Sequence, residues 1–284
     1  MPECAVAPWT CPTCREAQST TFCPRCGEQP LDARSLTLTG LAGQLFAALT
    51  SIDGRLLRSF RYLVGRPGAL TSAFLRGRRR GFIGPVSLFL VANVLYFAAE
   101  SLTDGLVFTT PLQSHLNNQP WSGWARTLAA SRFSNDQAAL LDYATRFDNQ
   151  IALNARSLIL MMVVAFTPLA ALVFRKAKRP FAAHAVFSLH LYAFMLLLFS
   201  IATAIPAATV LSGAVRSTSR LLDAVLSIGL LLACAVYVYV GSAAVYGGSR
   251  GRRIVQATVL AIGMGAIVLA YRFVLLLITW STTS

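Results

Sequence analysis

Four cysteines near the start of the chain have the spacing of a metal site. Cys11 and Cys14 form one C-P-x-C pair, Cys23 and Cys26 form another, and eight residues separate the pairs. Two such turns can offer four thiolates in a tetrahedral arrangement, so the pattern predicts a structural Zn²⁺ site, with iron on the same sulfurs as the alternative. Four protein ligands leave no open position, so this site is not expected to catalyse a reaction.

Other residues in the segment suit this geometry. Pro12 and Pro24 restrict the two turns, and Gly27 permits the positive φ that is expected after the second turn. The segment is too short for a hydrophobic core, so bound metal is expected to supply most of its folding free energy. Disulfides are not expected here in a reducing cytosol. Cys4 and Cys234 fall outside the pattern.

The rest of the chain has the composition of a membrane protein. Of its 284 residues, 55% are hydrophobic and only 13% are charged, and the mean hydropathy is +0.59. Five apolar runs, the second near the minimum length, can cross about 30 Å of hydrocarbon as helices. These runs are Phe82–Ser101, Ser157–Phe174, His184–Leu211, Leu221–Tyr246 and Ile254–Trp280. The predicted fold is an all-α membrane bundle of about five transmembrane helices behind a small Cys4 zinc ribbon and amphipathic interfacial helices.

The net charge of +14 is concentrated in short clusters beside the apolar runs. Arg76–Arg80 precedes the first run, Arg175–Arg179 follows the second and Arg250–Arg253 follows the fourth, so all three fall on one side of a membrane. The positive-inside rule then predicts a bacterial inner-membrane protein with a cytoplasmic N-terminus and a periplasmic C-terminus. The start of the chain lacks the layout of a cleavable signal peptide, which agrees with that orientation.

Three regions are predicted. Residues 1–30 form the zinc ribbon, residues 31–81 form a linker and cytoplasmic amphipathic helices, and residues 82–284 form the bundle, with a periplasmic loop at about 103–156. In the middle region one helical face is shared by Leu38, Leu41, Leu45, Leu49 and Ile52. A second apolar stripe consists of Leu56, Leu57, Phe60, Leu63 and Val64.

This second stripe lies opposite Arg55, Arg58 and Arg61, and the motif R-P-G then ends the helix. Such a cationic helix either lies among anionic lipid headgroups or packs on the inner ends of the spans. Both alternatives predict headgroup contacts from the arginines at the inner face, which are Arg55, Arg58, Arg61, Arg78, Arg79 and Arg80.

The predicted periplasmic loop contains an amphipathic helix lying over the bundle. Ser134 or Asn135 is expected to cap its start, and its apolar face carries Leu140, Tyr143, Phe147 and Ile151. Trp121 and Trp124 suit the outer interface as aromatic anchors, and His115 is expected to be an ordinary solvated histidine.

A few polar residues fall inside the apolar runs, where they are costly and are candidates for function. Arg272 is expected to pair with Asp223 or, as second choice, Glu100. His184 and His190 are six residues apart and point about 240° apart on a helix, so they do not form a two-ligand face but can each bond a neighbouring span. Asn93 can link helices, and small residues at Gly229/Ala233 and Ala261/Gly265 are expected to allow close helix packing.

Several motifs together resemble a known family. They are C-P-T-C, F-C-P-R-C-G, R-P-G at Arg66–Gly68, G-R-R-R-G-F-I-G-P at Gly77–Pro85, and H-A-V-F-S-L-H at His184–His190. The chain resembles a bacterial family of membrane proteins called domain of unknown function 3667. It departs from the family's usual pattern in having Glu28 before Gln29 after the ribbon, and Phe82 where tyrosine is common. The resemblance implies a zinc ribbon ahead of a multi-span domain, and no known activity.

The leading functional prediction is a membrane-anchored binding or accessory protein whose cytoplasmic ribbon docks a partner protein. The first alternative is a carrier of lipid or a small solute, in which Arg272 binds an anion. The second is a membrane enzyme acting on lipid or peptide through His184 or His190, although no known catalytic motif is present, so enzymatic activity is not favoured. Membrane lipids and further copies of the chain are additional expected partners. Nucleic acid is not, because Thr10 to Glu28 carries two arginines against two glutamates.

Overall fold

The computed structural model describes residues 8–27, 54–103, 110–134, 136–211 and 220–283. The predicted apolar face from Leu38 to Ile52 lies outside these residues.

The cysteine-rich segment begins with a short antiparallel hairpin. β1 (Trp9–Thr10) pairs with β2 (Ala17–Gln18), with Trp9 opposite Gln18. The first C-P-x-C turn lies within this hairpin. The indole Nε1 of Trp9 donates to the carbonyl of Thr20 at 2.8 Å, which holds the chain that leads to the second turn.

The remaining described residues are mainly helical, as predicted. The helices in chain order are α1 (Gly54–Gly65), α2 (Ala69–Leu75), α3 (Pro85–Thr103), α4 (Leu112–Asn117), α5 (Ser122–Phe133), α6 (Gln137–Leu158), α7 (Leu160–Val173), α8 (Phe181–Leu211), α9 (Arg220–Val245) and α10 (Arg250–Thr282). A 3₁₀ turn at Arg175–Ala177 follows α7.

Four helices of the described chain are long and apolar enough to cross a membrane. The candidate spans are Pro85–Leu102, Phe181–Ala204, Ile228–Val245 and Arg250–Thr282. A fifth exists if Gln137–Arg156 and Leu160–Val173 act as one broken span, which is bent by 50°. Since α7 has only 14 residues, it is about 21 Å long and is too short to cross alone. The predicted bundle is therefore confirmed at four or five spans, and the short second run counts as a span only together with α6.

The bundle core is built around large aromatic side chains. Phe166 of α7 meets Tyr192 of α8 edge to face at 5.6 Å, and Phe194 stacks on Tyr237 at 4.4 Å between α8 and α9. Beyond the end of α7, the ring of Phe174 stacks on Tyr246 at 3.9 Å. These contacts join α7, α8 and α9 through buried apolar area, which is the main source of their packing energy.

The three predicted arginine-rich clusters lie at one end of the bundle, here called the basic end. Arg76–Arg80 precedes α3, Arg175–Arg179 follows α7 and Arg250–Arg253 opens α10. The end of α7 and the start of α10 meet directly, because the Nε2 of Gln256 donates to the carbonyl of Val173 at 3.0 Å. The shared sidedness that the charge pattern predicts is thus present in the fold.

Helix α2 forms a wedge between α8 and α9 at the basic end. Leu70 and Thr71 are buried, and the R-P-G loop before α2 places Gly68 against Gly241 of α9. Gly68 has φ +78°, and a Cβ on it would lie 2.3 Å from the carbonyl oxygen of Gly241. Only glycine satisfies both the conformation and the contact.

The apolar stripe of α1 is divided between protein and surroundings. Leu63 is fully buried, whereas Leu57 is 74% exposed and Val64 is 54% exposed. Ser59 is also buried, and its hydroxyl accepts a hydrogen bond from the backbone N–H of Ile83 at 3.0 Å. One edge of α1 therefore packs on the bundle, and the other presents apolar side chains outward.

Helix α6 differs from its prediction at its start. Asp136, not Ser134 or Asn135, caps the helix, because its carboxylate accepts hydrogen bonds from the backbone N–H groups of Ala138 and Ala139 at 3.0 and 3.1 Å. The apolar face is as predicted, with its central residues buried: Tyr143, Phe147 and Ile151.

Two of the glycines predicted to allow close helix packing, Gly229 and Gly265, do not mark such contacts. A Cβ on Gly229 or Gly265 would meet nothing within 4 Å, so neither marks a close contact. A Cβ on Gly263 of α10 would lie 2.4 Å from Cδ2 of Leu169 in α7, and Gly241 receives the loop at Gly68. The sequence alone does not distinguish these glycines. Only the packing of the helices shows which of them face a neighbouring element.

Candidate metal centre

The two C-P-x-C turns have matching backbone geometry. The N–H of Arg15 donates to the carbonyl of Cys11 at 2.8 Å, and the N–H of Gly27 donates to the carbonyl of Cys23 at 2.5 Å. Arg15 has φ 63° and Gly27 has φ 65°. The positive φ of Gly27 is as predicted. The positive φ at the equivalent position of the first turn was not predicted, because the residue there is Arg15 and not glycine. The equivalence of the two turns could have indicated it.

The four sulfurs converge on one point. The Sγ atoms of Cys11 and Cys26 are 3.3 Å apart, those of Cys14 and Cys23 are 3.3 Å apart, and those of Cys14 and Cys26 are 3.9 Å apart. All four lie within 4.8 Å of one another. A tetrahedral ion with metal–sulfur bonds of about 2.3 Å requires sulfurs about 3.8 Å apart. The set therefore could hold a metal ion, and none of these four cysteines is in a disulfide.

The environment of the sulfurs favours thiolates at two positions. Cys11 and Cys23 are fully buried. Burial raises the pKa of Cys11, but backbone N–H groups at Cys14 and Thr13 outweigh it and lower that pKa to about 7. For Cys23 burial likewise raises the pKa, and the N–H groups of Cys26 and Arg25 help to bring it below its ordinary value. Since the thiolate is the ligand form, these N–H groups prepare the site for a cation.

The cysteine-rich segment, here called the ribbon, is docked on the first arginine cluster. The Nε of Arg78 donates to the carbonyl of Pro12 at 3.3 Å, and a Cβ on Gly77 would lie 3.1 Å from Cγ of the same proline. A Cβ on Gly27 would lie 2.7 Å from the guanidinium of Arg80. Both C-P-x-C turns therefore contact the segment that leads into α3. Neither the cysteine spacing nor the arginine cluster indicated this contact in the sequence.

Part of the ribbon surface is exposed. Phe22, next to the buried Cys23, is 52% exposed. Its carbonyl accepts a hydrogen bond from Thr20 Oγ1 at 2.6 Å, and Arg25 pairs with Glu16 on the surface. The ribbon thus exposes an aromatic side chain and a charged pair.

The arginines predicted to meet headgroups divide into two groups. Arg55, Arg58 and Arg61 are exposed on α1. In the first cluster Arg78 and Arg80 are exposed and contact the ribbon, whereas the guanidinium of Arg79 lies over the ring of Phe74 at 4.4 Å.

The two histidines of α8 have separate partners. Nδ1 of His190 is 2.8 Å from Oγ1 of Thr71 in the α2 wedge, and both side chains are buried. Nδ1 of His184 is 3.0 Å from the hydroxyl of Tyr246, whose ring stacks on the imidazole. The structure does not bring the two histidines to one site. Each instead joins α8 to a neighbouring element.

The predicted charged partners within the bundle are placed as follows. Arg272 lies half-buried in α10, and Glu100 is buried at the end of α3, where it accepts a hydrogen bond from the hydroxyl of Tyr96 at 2.8 Å. The side chain of Asp223 lies outside the described part of the chain. Asn93 is partly buried in α3. Pairing of Arg272 with either carboxylate stays a prediction.

The expectation that His115 is solvated is wrong. Its side chain is fully buried at the end of the bundle opposite the ribbon. Trp121 Nε1 donates to its Nδ1 at 3.2 Å, and Phe147 meets the ring edge to face. Burial, with a smaller effect from the positive charge of Arg272, lowers the pKa of His115 to about 4. Trp121 also contacts Phe273 of α10, so it packs rather than only anchoring an interface.

Fold and site together define a class of protein: a helical bundle with four or five candidate membrane spans, carrying a four-cysteine cluster at its basic end. Residues 53–97 match the model of a family described as "Protein of unknown function (DUF3667)", which confirms the resemblance over α1, α2 and most of α3. No curated protein and no solved structure matches the chain. The matched segment contains the R-P-G loop and the arginine cluster on which the ribbon docks, and it lies beyond the cysteines themselves.

Proposed function

We propose that this protein is an accessory membrane protein whose metal-held ribbon captures a partner protein at the cytoplasmic face of a bacterial inner membrane. One observation carries this proposal. The ribbon is fixed to the bundle through Pro12 and Gly27, while Phe22 of the same ribbon is 52% exposed. A rigidly held aromatic side chain with a charged rim is the usual composition of a protein-binding surface.

The proposed metal is Zn²⁺, bound by Cys11, Cys14, Cys23 and Cys26. The sulfur separations of 3.3–3.9 Å suit a tetrahedral ion, and iron on the same ligands is the alternative. The bound ion would supply the cross-links that a short hairpin lacks. Because protein ligands fill all four coordination positions of the ion, its proposed role is to stabilise the conformation of the surface around Phe22.

The proposed orientation rests on the shared position of the three arginine-rich clusters. Loops rich in arginine and lysine stay in the cytoplasm, and a site of free thiolates persists best in a reducing compartment. Both arguments put the basic end, and with it the ribbon, on the cytoplasmic side. The C-terminal end of α10 is then periplasmic.

Helix α1 supports a proposed contact with the membrane surface beside the ribbon. Leu57 and Val64 are exposed apolar side chains, and Arg55, Arg58 and Arg61 are exposed cations on the same helix. This combination binds the headgroup region of an anionic leaflet. The ribbon is thereby held close to the membrane plane, where a membrane-associated partner would meet it.

Site-specific photocrosslinking in native membranes tests this proposal. A photoreactive phenylalanine analogue at Phe22 is expected to give a discrete protein adduct, identified by mass spectrometry. The adduct should disappear when Cys11→Ser is added, because the ribbon loses its metal, and should persist with Cys234→Ser, which changes a cysteine buried in α9.

A matched probe at Leu102, which is 86% exposed at the opposite end of the bundle, controls for collisions in the membrane. The same adduct from Leu102, or an unchanged adduct in the Cys11→Ser chain, would contradict capture by the ribbon. Membrane insertion of each variant is checked by carbonate extraction.

A further inference from the structure

A second candidate binding site lies at the basic end, away from the ribbon. The last turn of α7, the 3₁₀ turn after it and the start of α10 border an open cavity of about 380 Å³. Its lining combines two apolar side chains, three cations and one amide: Leu172, Val173, Arg175, Lys176, Arg252 and Gln256.

The walls of this cavity are held in place by specific contacts. The Nε2 of Gln256 donates to the carbonyl of Val173 at 3.0 Å, which satisfies one of the carbonyls left without a partner at the end of α7. The next residue, Phe174, is buried and stacks on Tyr246. The chain then reverses at Lys178, which has φ 49°. The two sides therefore keep a fixed separation.

In the described part of the chain, the cations of the cavity have no anionic partner. Within the described residues, neither an ion pair nor a hydrogen bond engages the side chains of Arg175, Lys176 or Arg252. The local sequence explains this, because Asp223 is the only acidic residue after Asp148. Three adjacent positive charges repel one another, so an anion between them would be stabilised.

Two further features indicate which anion fits. Arg252 and Gln256 belong to the first turns of α10, whose N-terminal N–H groups add a partial positive charge of the kind that phosphates bind. Leu172, which lines the same cavity, is 62% exposed and continues into the apolar surface of α7. A ligand with a phosphate and an attached hydrocarbon chain would satisfy both parts of the lining.

We propose that this cavity binds the phosphate of an anionic phospholipid, with Arg175, Lys176 and Arg252 around the headgroup and an acyl chain against Leu172. The site is separate from the arginines of α1 and of Arg76–Arg80. It does not depend on the ribbon having a partner.

Lipid titration of the purified full chain tests this site. Binding of phosphatidylglycerol and of phosphatidylcholine is measured by native mass spectrometry from a neutral detergent. Each cation beside an anionic headgroup contributes about fivefold in affinity, so the triple variant R175Q/K176Q/R252Q is expected to lose on the order of 100-fold for phosphatidylglycerol. R252Q alone is expected to lose about fivefold, and it provides the test if the triple variant is poorly folded.

The matched control removes the same number of charges from the same two loops outside the cavity, as K178Q/R179Q/R250Q. This control is expected to keep binding within about twofold. Equal losses in both triple variants would overturn the site in favour of general surface charge. Binding of inorganic phosphate as tight as that of phosphatidylglycerol would overturn the assignment to a lipid, and equal binding of phosphatidylcholine would overturn the role of the cations.

Discussion

Replacement of Gly68 by alanine tests the wedge that joins the matched segment to the spans. Gly68 has φ +78°, and a Cβ there would lie 2.3, 2.7 and 2.9 Å from three backbone atoms of Gly241. Backbone atoms of a packed helix cannot move aside as the end of a side chain can. The variant therefore has to distort either the R-P-G loop or the contact between α2 and α9.

The magnitude has two parts, and the chain offers a control for one of them. Gly247 has φ +69° with nothing within 4 Å of a Cβ, so Gly247→Ala measures the cost of the left-handed conformation alone, about 1–2 kcal/mol. Gly68→Ala adds the steric conflict, about 1–3 kcal/mol for an overpacked site. The expected loss of unfolding free energy is then about 2–5 kcal/mol for Gly68→Ala.

Thermal unfolding of the purified chain in one detergent, followed by fluorescence-detected size exclusion, compares the two variants. Gly68→Ala is expected to lower Tm about two to three times as far as Gly247→Ala. A third variant, Gly229→Ala in the open surface of α9, should leave Tm unchanged or raise it. Equal decreases for Gly68→Ala and Gly247→Ala would refute the close contact with Gly241.

Three further perturbations test other contacts. Thr71→Val leaves Nδ1 of buried His190 without its partner and should lower the unfolding free energy by about 1–3 kcal/mol in the same assay; an unchanged Tm would contradict that bond. Asp136→Ala removes the cap of α6 and should cost about 0.5–2 kcal/mol, with most of the loss restored by Asp136→Asn. For His115 the folded-state pKa of about 4 lies below the ordinary 6.5, so its contribution is complete above pH 6.5. That contribution is lost as pH falls towards 4, by at most about 3 kcal/mol. His115→Gln should flatten this part of the stability profile, and an identical profile in both chains would contradict burial of a neutral imidazole.

Patterns with a local physical cause were predictable from the sequence. The C-P-x-C spacing predicted that four sulfurs would converge, since each turn fixes two of them. The positive φ at Gly27 and the buried face through Tyr143 and Phe147 follow from glycine's freedom and helical periodicity. Apolar run length predicted about five spans, and four or five candidate spans are present, for the same reason: a membrane sets the length of a helix.

Features set by contacts between distant segments were not predictable. The burial of His115 depends on its contacts with Trp121 and Phe147. No local sequence pattern distinguishes a solvated histidine from a buried one. Gly241 and Gly229 are alike in sequence, yet only Gly241 faces another backbone. The docking of Pro12 on Arg78 joins residues 66 positions apart, so only the folded chain reveals it.

The metal content of the purified full-length protein tests the central claim most directly. Inductively coupled plasma mass spectrometry, on protein freed of any affinity tag, should find one zinc per chain. Cys11→Ser and Cys23→Ser should abolish that zinc, and Cys234→Ser should retain it. A wild-type chain that contains neither zinc nor iron, with its four ribbon thiols reduced, would contradict the metal-held ribbon on which the proposed function rests.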